Sequence, residues 1–234
     1  MRRLLLLSNS TQHGHGYLDH AIDEIRGHLA GVSRLLFVPF ALHDRAGYSA
    51  KARERFAPLG IEVDELLAAP SGARQVETAA AVFVGGGNTF RLLKTLREAG
   101  LAAPLRERVL GGMPYLGASA GINIAAPTIR TTNDMPIVEP PGFEALGLVP
   151  FQINPHYLDP PPDSTHMGET REQRILEFLE ENDRPVVGLR EGGWLAIAGA
   201  AGRIGGLSGA RIFRPGAPPE ERSPGAPLDD LLAG

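Results

Sequence analysis

The residues best suited to chemistry form the run 117–121, whose sequence GASAG places Ser119 between small residues. An apolar stretch precedes this run, and a helix-compatible stretch, 122–126, follows it. Strand, tight turn and helix in this order are typical of a nucleophile elbow, which exposes a serine hydroxyl on a strained turn. The alternative is a small-residue turn that only permits close packing. We predict that Ser119 is a nucleophile and that the amide of Ala120 binds an oxyanion.

A second glycine-rich turn, 85–88, follows the apolar run 81–84 and opens a helical pattern. It has neither the GxGxxG spacing of a dinucleotide site nor the Gly-Lys-Ser/Thr ending of a phosphate loop. In acyl transfer, a second oxyanion donor often comes from an earlier strand-to-helix loop. We therefore expect Gly86 or Gly87 to supply it, with simple turn formation as the alternative.

A serine nucleophile needs a base, and among seven histidines only His156 lies just past a buried apolar run, 149–153. Pro155 is expected to end that strand and turn the ring outward. The pair His13 and His15 lacks a third ligand, so no metal is predicted. No cofactor is predicted either.

The base in turn needs an acid to hold its tautomer, and there are two candidates. Asp134 lies in a loop between nucleophile and base, whereas Glu191 follows the apolar run 186–189. Either could instead be a turn residue. Spacing does not decide between them. We favour Asp134 slightly, because its loop connects the two other members.

Composition narrows the function classes. The chain has 234 residues, a formal net charge of -4 and no cysteine. The absence of cysteine excludes disulfides, thiolate metal sites and a cysteine nucleophile, and the charge gives no basic field for nucleic acid. No apolar run approaches the length of a membrane span. We expect a cytoplasmic protein with a small-molecule or peptide partner, and a homo-oligomer remains open.

The surrounding pattern alternates short buried strands with amphipathic helices. This alternation predicts an α/β fold of three layers, with a mainly parallel sheet covered by helices on both faces. Short runs after residue 189 look like hairpins at the sheet's edge, and the Pro/Gly-rich stretch 215–227 is expected to be loosely held. We expect one domain, 1–214, and a tail, 215–234. The predicted strands are 4–7, 35–40, 81–84, 115–117, 149–153 and 186–189, and the predicted helices are 17–30, 47–59, 89–99 and 171–181.

These residues together resemble the peptidase E family of aspartyl dipeptidases, serine peptidases related to cyanophycinase. The resemblance covers nearly the whole chain except the tail. The matching segments are 4–11, 84–90, 119–121, 127–138, 152–156 and 168–174.

The resemblance implies a fold like the class I glutamine amidotransferases, with serine in place of their cysteine. It implies hydrolysis of small acidic dipeptides of the form Asp-Xaa, through an aspartyl-enzyme, with Ser119 as nucleophile and His156 as base. Both Asp134 and Glu191 match positions proposed for the third member, so that choice stays open.

Selectivity for aspartate requires a cation that faces the substrate side chain. Thr170 and Gln173 fit a capping box, which places Arg171 at the positive end of a helix. A cation is disfavoured there, and a bound carboxylate would relieve the conflict. Alternatively, Arg171 is a solvated residue paired with a neighbouring glutamate, Glu169 or Glu172. Arg130 is the reserve candidate.

Two other functions fit part of the pattern. An esterase of the α/β-hydrolase class shares the Gly-x-Ser-x-Gly run, but only 15 residues separate Ser119 from Asp134 and 22 separate Asp134 from His156. That spacing leaves little room for the strand-helix units of such enzymes. A binding module for acidic metabolites would use the two amide-rich turns without turnover.

Overall fold

The computed structural model describes residues 1–160 and 168–233. None of the described helices is both long and apolar enough to cross a membrane. Short 3-10 helices lie at Asp19–Ala21 and Ala57–Leu59. The strands are β1 Arg3–Leu7, β2 Arg34–Val38, β3 Glu62–Glu65, β4 Val82–Val84, β5 Tyr115–Ala118, β6 Gln152–Tyr157, β7 Val186–Arg190, β8 Gly193–Ala198, β9 Ala201–Gly206, β10 Ala210–Phe213 and β11 Glu220–Arg222. The helices are α1 Ile22–His28, α2 Arg45–Phe56, α3 Ser71–Thr78, α4 Thr89–Glu98, α5 Ala102–Leu110, α6 Ala120–Asn123, α7 Arg171–Glu180 and α8 Asp229–Leu232.

The larger sheet has seven strands in the order β3-β2-β4-β5-β1-β8-β9. The first five are parallel, and β8 and β9 form an antiparallel hairpin at the edge. Side chains alternate between its faces, so Leu4 and Leu6 join one apolar cluster with α4 and α5, whereas Leu5 and Leu7 join another with α1 and α2. Helices therefore cover both faces, and the predicted three-layer α/β fold is confirmed.

Strands β6 and β7 lie in a separate sheet of four strands, β11-β10-β7-β6. The sequence had indicated one buried sheet that included both. Their inner side chains, Ile153 and Val187 among them, share the apolar cluster of Leu4 and Leu6. Helix α7 covers the outer face, where Ile175 packs with Tyr157. An apolar run reveals burial but not sheet membership, which explains the difference.

The stretch after Pro215 is packed on the sheets, contrary to the expectation of a loosely held tail. Strand β11 pairs with β10, and Leu231 and Leu232 of α8 are buried. Arg222 also forms an ion pair with Asp230 at 2.7 Å. The prolines flank this strand rather than interrupt it, so they do not prevent pairing.

Candidate active site

Ser119 lies on a sharp turn between β5 and α6. Its backbone has φ 51° and ψ −110°, a region that residues other than glycine seldom adopt. A Cβ on Gly121 would lie 2.3 Å from the carbonyl oxygen of Val84, so only glycine fits there. The amide of Ser119 donates to the carbonyl of Leu7 at 3.0 Å, which fixes the turn to β1. The arrangement presents the serine hydroxyl at the carboxyl end of the parallel strands.

His156 lies at a bulge in β6, where the register against β7 shifts between Pro155 and Tyr157. The strand therefore continues through Pro155, contrary to the prediction that it ends there. His156 has φ 53°, and the buried Ser8 holds this conformation. The hydroxyl of Ser8 accepts from the amide of His156 at 2.9 Å and donates to the carbonyl of Leu189 at 2.8 Å.

The side chains of Ser119, His156 and Glu191 form a continuous hydrogen-bonded chain. His156 Nδ1 is 2.6 Å from Glu191 Oε1, and His156 Nε2 is 2.9 Å from Ser119 Oγ. A carboxylate only accepts, so Nδ1 carries the proton and Nε2 is left to accept from the serine hydroxyl. This is the geometry of a nucleophile, a general base and an orienting acid.

The turn that carries Glu191 is also fixed to its neighbours. Ser208 Oγ donates to the carbonyl of Glu191 at 2.5 Å, and the amide of Gly192 donates to Asn9 Oδ1 at 2.8 Å. Sequence reasoning missed Ser8 and Asn9. Their signal was available, because polar residues directly after a buried strand lie where α/β sheets collect their sites.

Asp134, favoured slightly for the orienting acid, is engaged elsewhere. Its Oδ2 accepts from the amide of Thr89 at 2.7 Å, at the beginning of α4. A helix start has free amides and a positive potential, so a carboxylate is stabilised there. The geometry therefore does not support the preference for Asp134, because the carboxylate that bonds to His156 Nδ1 is that of Glu191.

The backbone amides predicted to bind an oxyanion border Ser119. A Cβ on Gly86 would lie 3.0 Å from the Cβ of Ser119, and Gly87 has φ 132°. Burial raises the pKa of the Tyr48 hydroxyl. This hydroxyl lies against the same turn, because a Cβ on Gly85 would be 2.6 Å from its oxygen. The amide of Ala120, at the first position of α6, has no intrahelical acceptor. Gly86 and Gly87 line the cleft beside Ser119, and Ala120 directly follows the serine in the chain.

Arg171 lies at the start of α7, where the predicted capping box of Thr170 is present. Its Nη1 donates to Asn133 Oδ1 at 2.6 Å, and Asn133 Nδ2 donates to the carbonyl of Pro155 at 2.7 Å. Arg171 thus connects to the residue before His156. Burial, and the neighbouring charge of Arg174, lower the pKa of the Arg171 guanidinium.

The two glutamates that could have neutralised Arg171 have other partners. Glu169 pairs with Arg174 at 3.4 Å, and Glu172 pairs with Arg211 at 3.2 Å. Arg171 has no carboxylate partner in the described part of the chain. The reserve candidate, Arg130, is exposed and lies 5.7 Å from the ring centroid of Phe143.

An open cleft of about 490 Å³ lies beside the serine. Ser119, His156 and Glu191 line it together with Gly86 and Gly87. Its volume suits a small ligand. Among residues 1–160 and 168–233, no group of three or more histidine and acidic side chains could hold a metal ion, and His13 and His15 are exposed.

The chain is similar to proteins named as peptidases or dipeptidases along nearly its whole length. Peptidase E of Streptomyces coelicolor is 58% identical over 229 residues, which cover 98% of this chain and 94% of that protein. A Drosophila melanogaster protein named probable alpha-aspartyl dipeptidase is 48% identical over 234 residues, covering 99% of this chain and 98% of that protein. The solved structure of a peptidase from an acI-B1 Actinobacterium shares the fold, with a TM-score of 0.71, 19% identity, and coverage of 97% of this chain and 96% of that one. Residues 4–205 match the model of peptidase family S51, and the chain belongs to that family.

Proposed function

We propose that the protein is a serine dipeptidase that removes an N-terminal aspartate from Asp-Xaa dipeptides, and that it works in the cytoplasm. The observation that carries the proposal is the hydrogen-bonded chain from Ser119 through His156 to Glu191. Membership of a peptidase family indicates that these three residues hydrolyse a peptide bond, and the name of the Drosophila relative points to aspartyl substrates. An esterase activity has no comparable support.

In the first half of the reaction, Ser119 Oγ attacks the peptide carbonyl carbon while its proton passes to His156 Nε2. Glu191 holds the opposite ring nitrogen and stabilises the imidazolium that forms. The protonated His156 then gives its proton to the leaving amine as the carbon–nitrogen bond breaks. The product is a free amino acid, and the aspartyl group remains as an ester on Ser119.

The second half releases aspartate. Water loses a proton to His156 and attacks the ester carbonyl. His156 then returns that proton to Ser119 Oγ as the carbon–oxygen bond breaks, which restores the serine hydroxyl and the neutral base. The amide of Ala120 stabilises the oxyanion in both halves. Gly86 or Gly87 supplies the second donor, because both line the cleft beside Ser119.

Arg171 is the proposed reader of the aspartate side chain. Its guanidinium is half-buried and lacks a carboxylate partner among the described residues, although burial disfavours an unpaired charge. A substrate carboxylate would supply the missing partner. The contact of Arg171 with Asn133, which bonds the carbonyl of Pro155, holds the guanidinium close to the segment that carries the base.

A panel of four substrates tests the proposal: Asp-Leu, Glu-Leu, Asn-Leu and acetyl-Asp-Leu, with product detection by mass spectrometry. We expect efficient hydrolysis of Asp-Leu alone. A site built for a charged side chain rejects its neutral analogue, because the partner charge stays unpaired, at a cost of about 2 to 5 kcal/mol. Equal hydrolysis of Asp-Leu and Asn-Leu would contradict the proposed specificity for aspartate.

The role of Arg171 is tested with Arg171→Met and, as a matched control, Arg174→Met. Both residues lie on α7, but Arg174 is exposed and pairs with Glu169. Arg171→Met should reduce kcat/KM for Asp-Leu far more than for Asn-Leu, and the control should leave the ratio of the two unchanged. An unchanged ratio in Arg171→Met would exclude this residue as the selectivity determinant.

A further inference from the structure

One charged side chain in the cleft beside Ser119 neither caps a helix nor pairs with an opposite charge among the described residues. Besides His156, the charged residues that line this cleft are Asp44, Lys51 and Glu191. Asp44 caps α2 by accepting from a backbone amide at 2.9 Å, and Glu191 is bonded to His156. Lys51 has no ion pair among the described residues, and its ammonium group lies over an aromatic ring. Its ammonium group therefore remains available for a ligand.

Lys51 is placed on the cleft wall by a short series of contacts that leads to the nucleophile. Its Nζ lies 4.4 Å from the ring centroid of Tyr17, whose hydroxyl is 3.5 Å from that of Tyr48. Tyr48 lies against Gly85, where a Cβ would be 2.6 Å from the tyrosine hydroxyl, and the next residue, Gly86, lies against Ser119. The ring attracts the ammonium without using its hydrogen-bond donors, which stay free to bind an anion.

The chemistry of the proposed reaction indicates which anion this is. An Asp-Xaa dipeptide has two carboxylates, one on the aspartate side chain and one at its free C-terminus. Protonated His156 must reach the leaving amine, so the departing residue lies on the His156 side of the serine. His156 and Lys51 line the same cleft. The C-terminal carboxylate lies only one residue beyond the scissile bond, about 3.5 Å of extended chain.

We propose that Lys51 binds the free C-terminal carboxylate of the departing amino acid, and thereby favours dipeptides over peptides that are longer or blocked at the C-terminus. The inference rests on the proposed function, and it assigns a binding residue to the second of the substrate's two carboxylates. Arg171 reads the carboxylate of aspartate, whereas Lys51 reads the end of the chain. A longer peptide carries its terminal charge out of reach of the ammonium group.

The experiment compares Asp-Leu with Asp-Leu amide, which differ only in the terminal charge. The enzymes are the wild type, Lys51→Met and, as control, Lys94→Met. These are the two lysines of the chain, and Lys94 is engaged with Glu98 at 2.5 Å on α4. Lys51→Met should raise KM for Asp-Leu about tenfold, the low end for losing a hydrogen bond to a charged group. Its KM for the amide and its kcat should change little.

Lys51→Arg, which keeps the charge, should retain most of the preference for Asp-Leu over the amide, and Lys94→Met should retain all of it. Lys51→Gln replaces the methionine variant if that one does not fold. The proposal is overturned if the wild type shows no preference, or if removal of the charge leaves the preference intact. It is also overturned if Lys51→Met changes the ratio of Asp-Leu to Asn-Leu instead. Failure of the wild type to cleave Asp-Leu would contradict the proposed function itself.

Discussion

Two acidic residues, Glu191 and Asp134, fit the same role in the sequence but lie in different surroundings in the fold. Glu191 follows β7 and bonds to His156 Nδ1 at 2.6 Å. Asp134 lies in the loop between nucleophile and base, and it accepts from the amide of Thr89 at 2.7 Å. One carboxylate orients a ring, and the other caps a helix. Proximity along the chain therefore does not select the acid; the available hydrogen-bond donor does.

The sharpest test of this comparison is Glu191→Gln, which removes the charge but keeps the shape. We expect kcat for Asp-Leu to fall by up to about ten-thousand-fold, the loss produced by the equivalent Asp-to-Asn change in a well-studied serine protease. The physical cause is loss of the correct histidine tautomer and of the charge that stabilises the imidazolium. Kinetics on protein shown to be folded measure the effect. A loss below about tenfold would show that Glu191 is not the acid that orients His156.

Ser8→Ala probes the support beneath the same site. The change leaves the amide of His156 and the carbonyl of Leu189 without their buried partner, which costs about 1 to 3 kcal/mol. We expect kcat to fall about tenfold or more while KM changes little, because the base moves and the substrate cleft does not. Ser33→Ala, at an exposed serine, is the control. If kcat is unaffected by Ser8→Ala, His156 keeps its position without this hydroxyl.

Asp134→Asn should have the smallest effect. The amide side chain can still accept from Thr89, and only the favourable charge at the helix start is lost, about 0.3 to 1 kcal/mol of unfolding free energy. We expect a small decrease in thermal stability and a loss of turnover below about tenfold. Thermal denaturation and steady-state kinetics on one preparation measure both. A loss as large as that of Glu191→Gln would reverse the roles of the two acids.

Four of the five parallel strands of the larger sheet were predictable, because they contain continuous apolar runs. Strand β3 was missed, because Glu62–Glu65 contains three acidic residues and lies at the edge of its sheet. Helices α3 and α5 were also not predicted. The separate sheet of β6 and β7 could not be read from the sequence, because strand pairing depends on contacts between distant segments.

The candidate site was predictable in part, for a related reason. Ser119 lies in a local motif, and His156 just follows an apolar run, 149–153, so each has a signal in its immediate sequence. The partner of His156 is chosen by tertiary contacts, which spacing does not report. Lys51 gave no signal at all, because a lysine on a helix surface is ordinary until Tyr17 and the cleft are seen beside it.

The central claim is that Ser119 performs covalent catalysis on Asp-Leu, and the most direct measurement compares the wild type with Ser119→Ala. Release of aspartate and leucine is followed by mass spectrometry, and circular dichroism confirms the fold of both proteins. The account predicts rapid release by the wild type and a loss of several orders of magnitude in the variant, up to about a million-fold as in another serine protease. Turnover by folded Ser119→Ala at a rate close to that of the wild type would contradict the account.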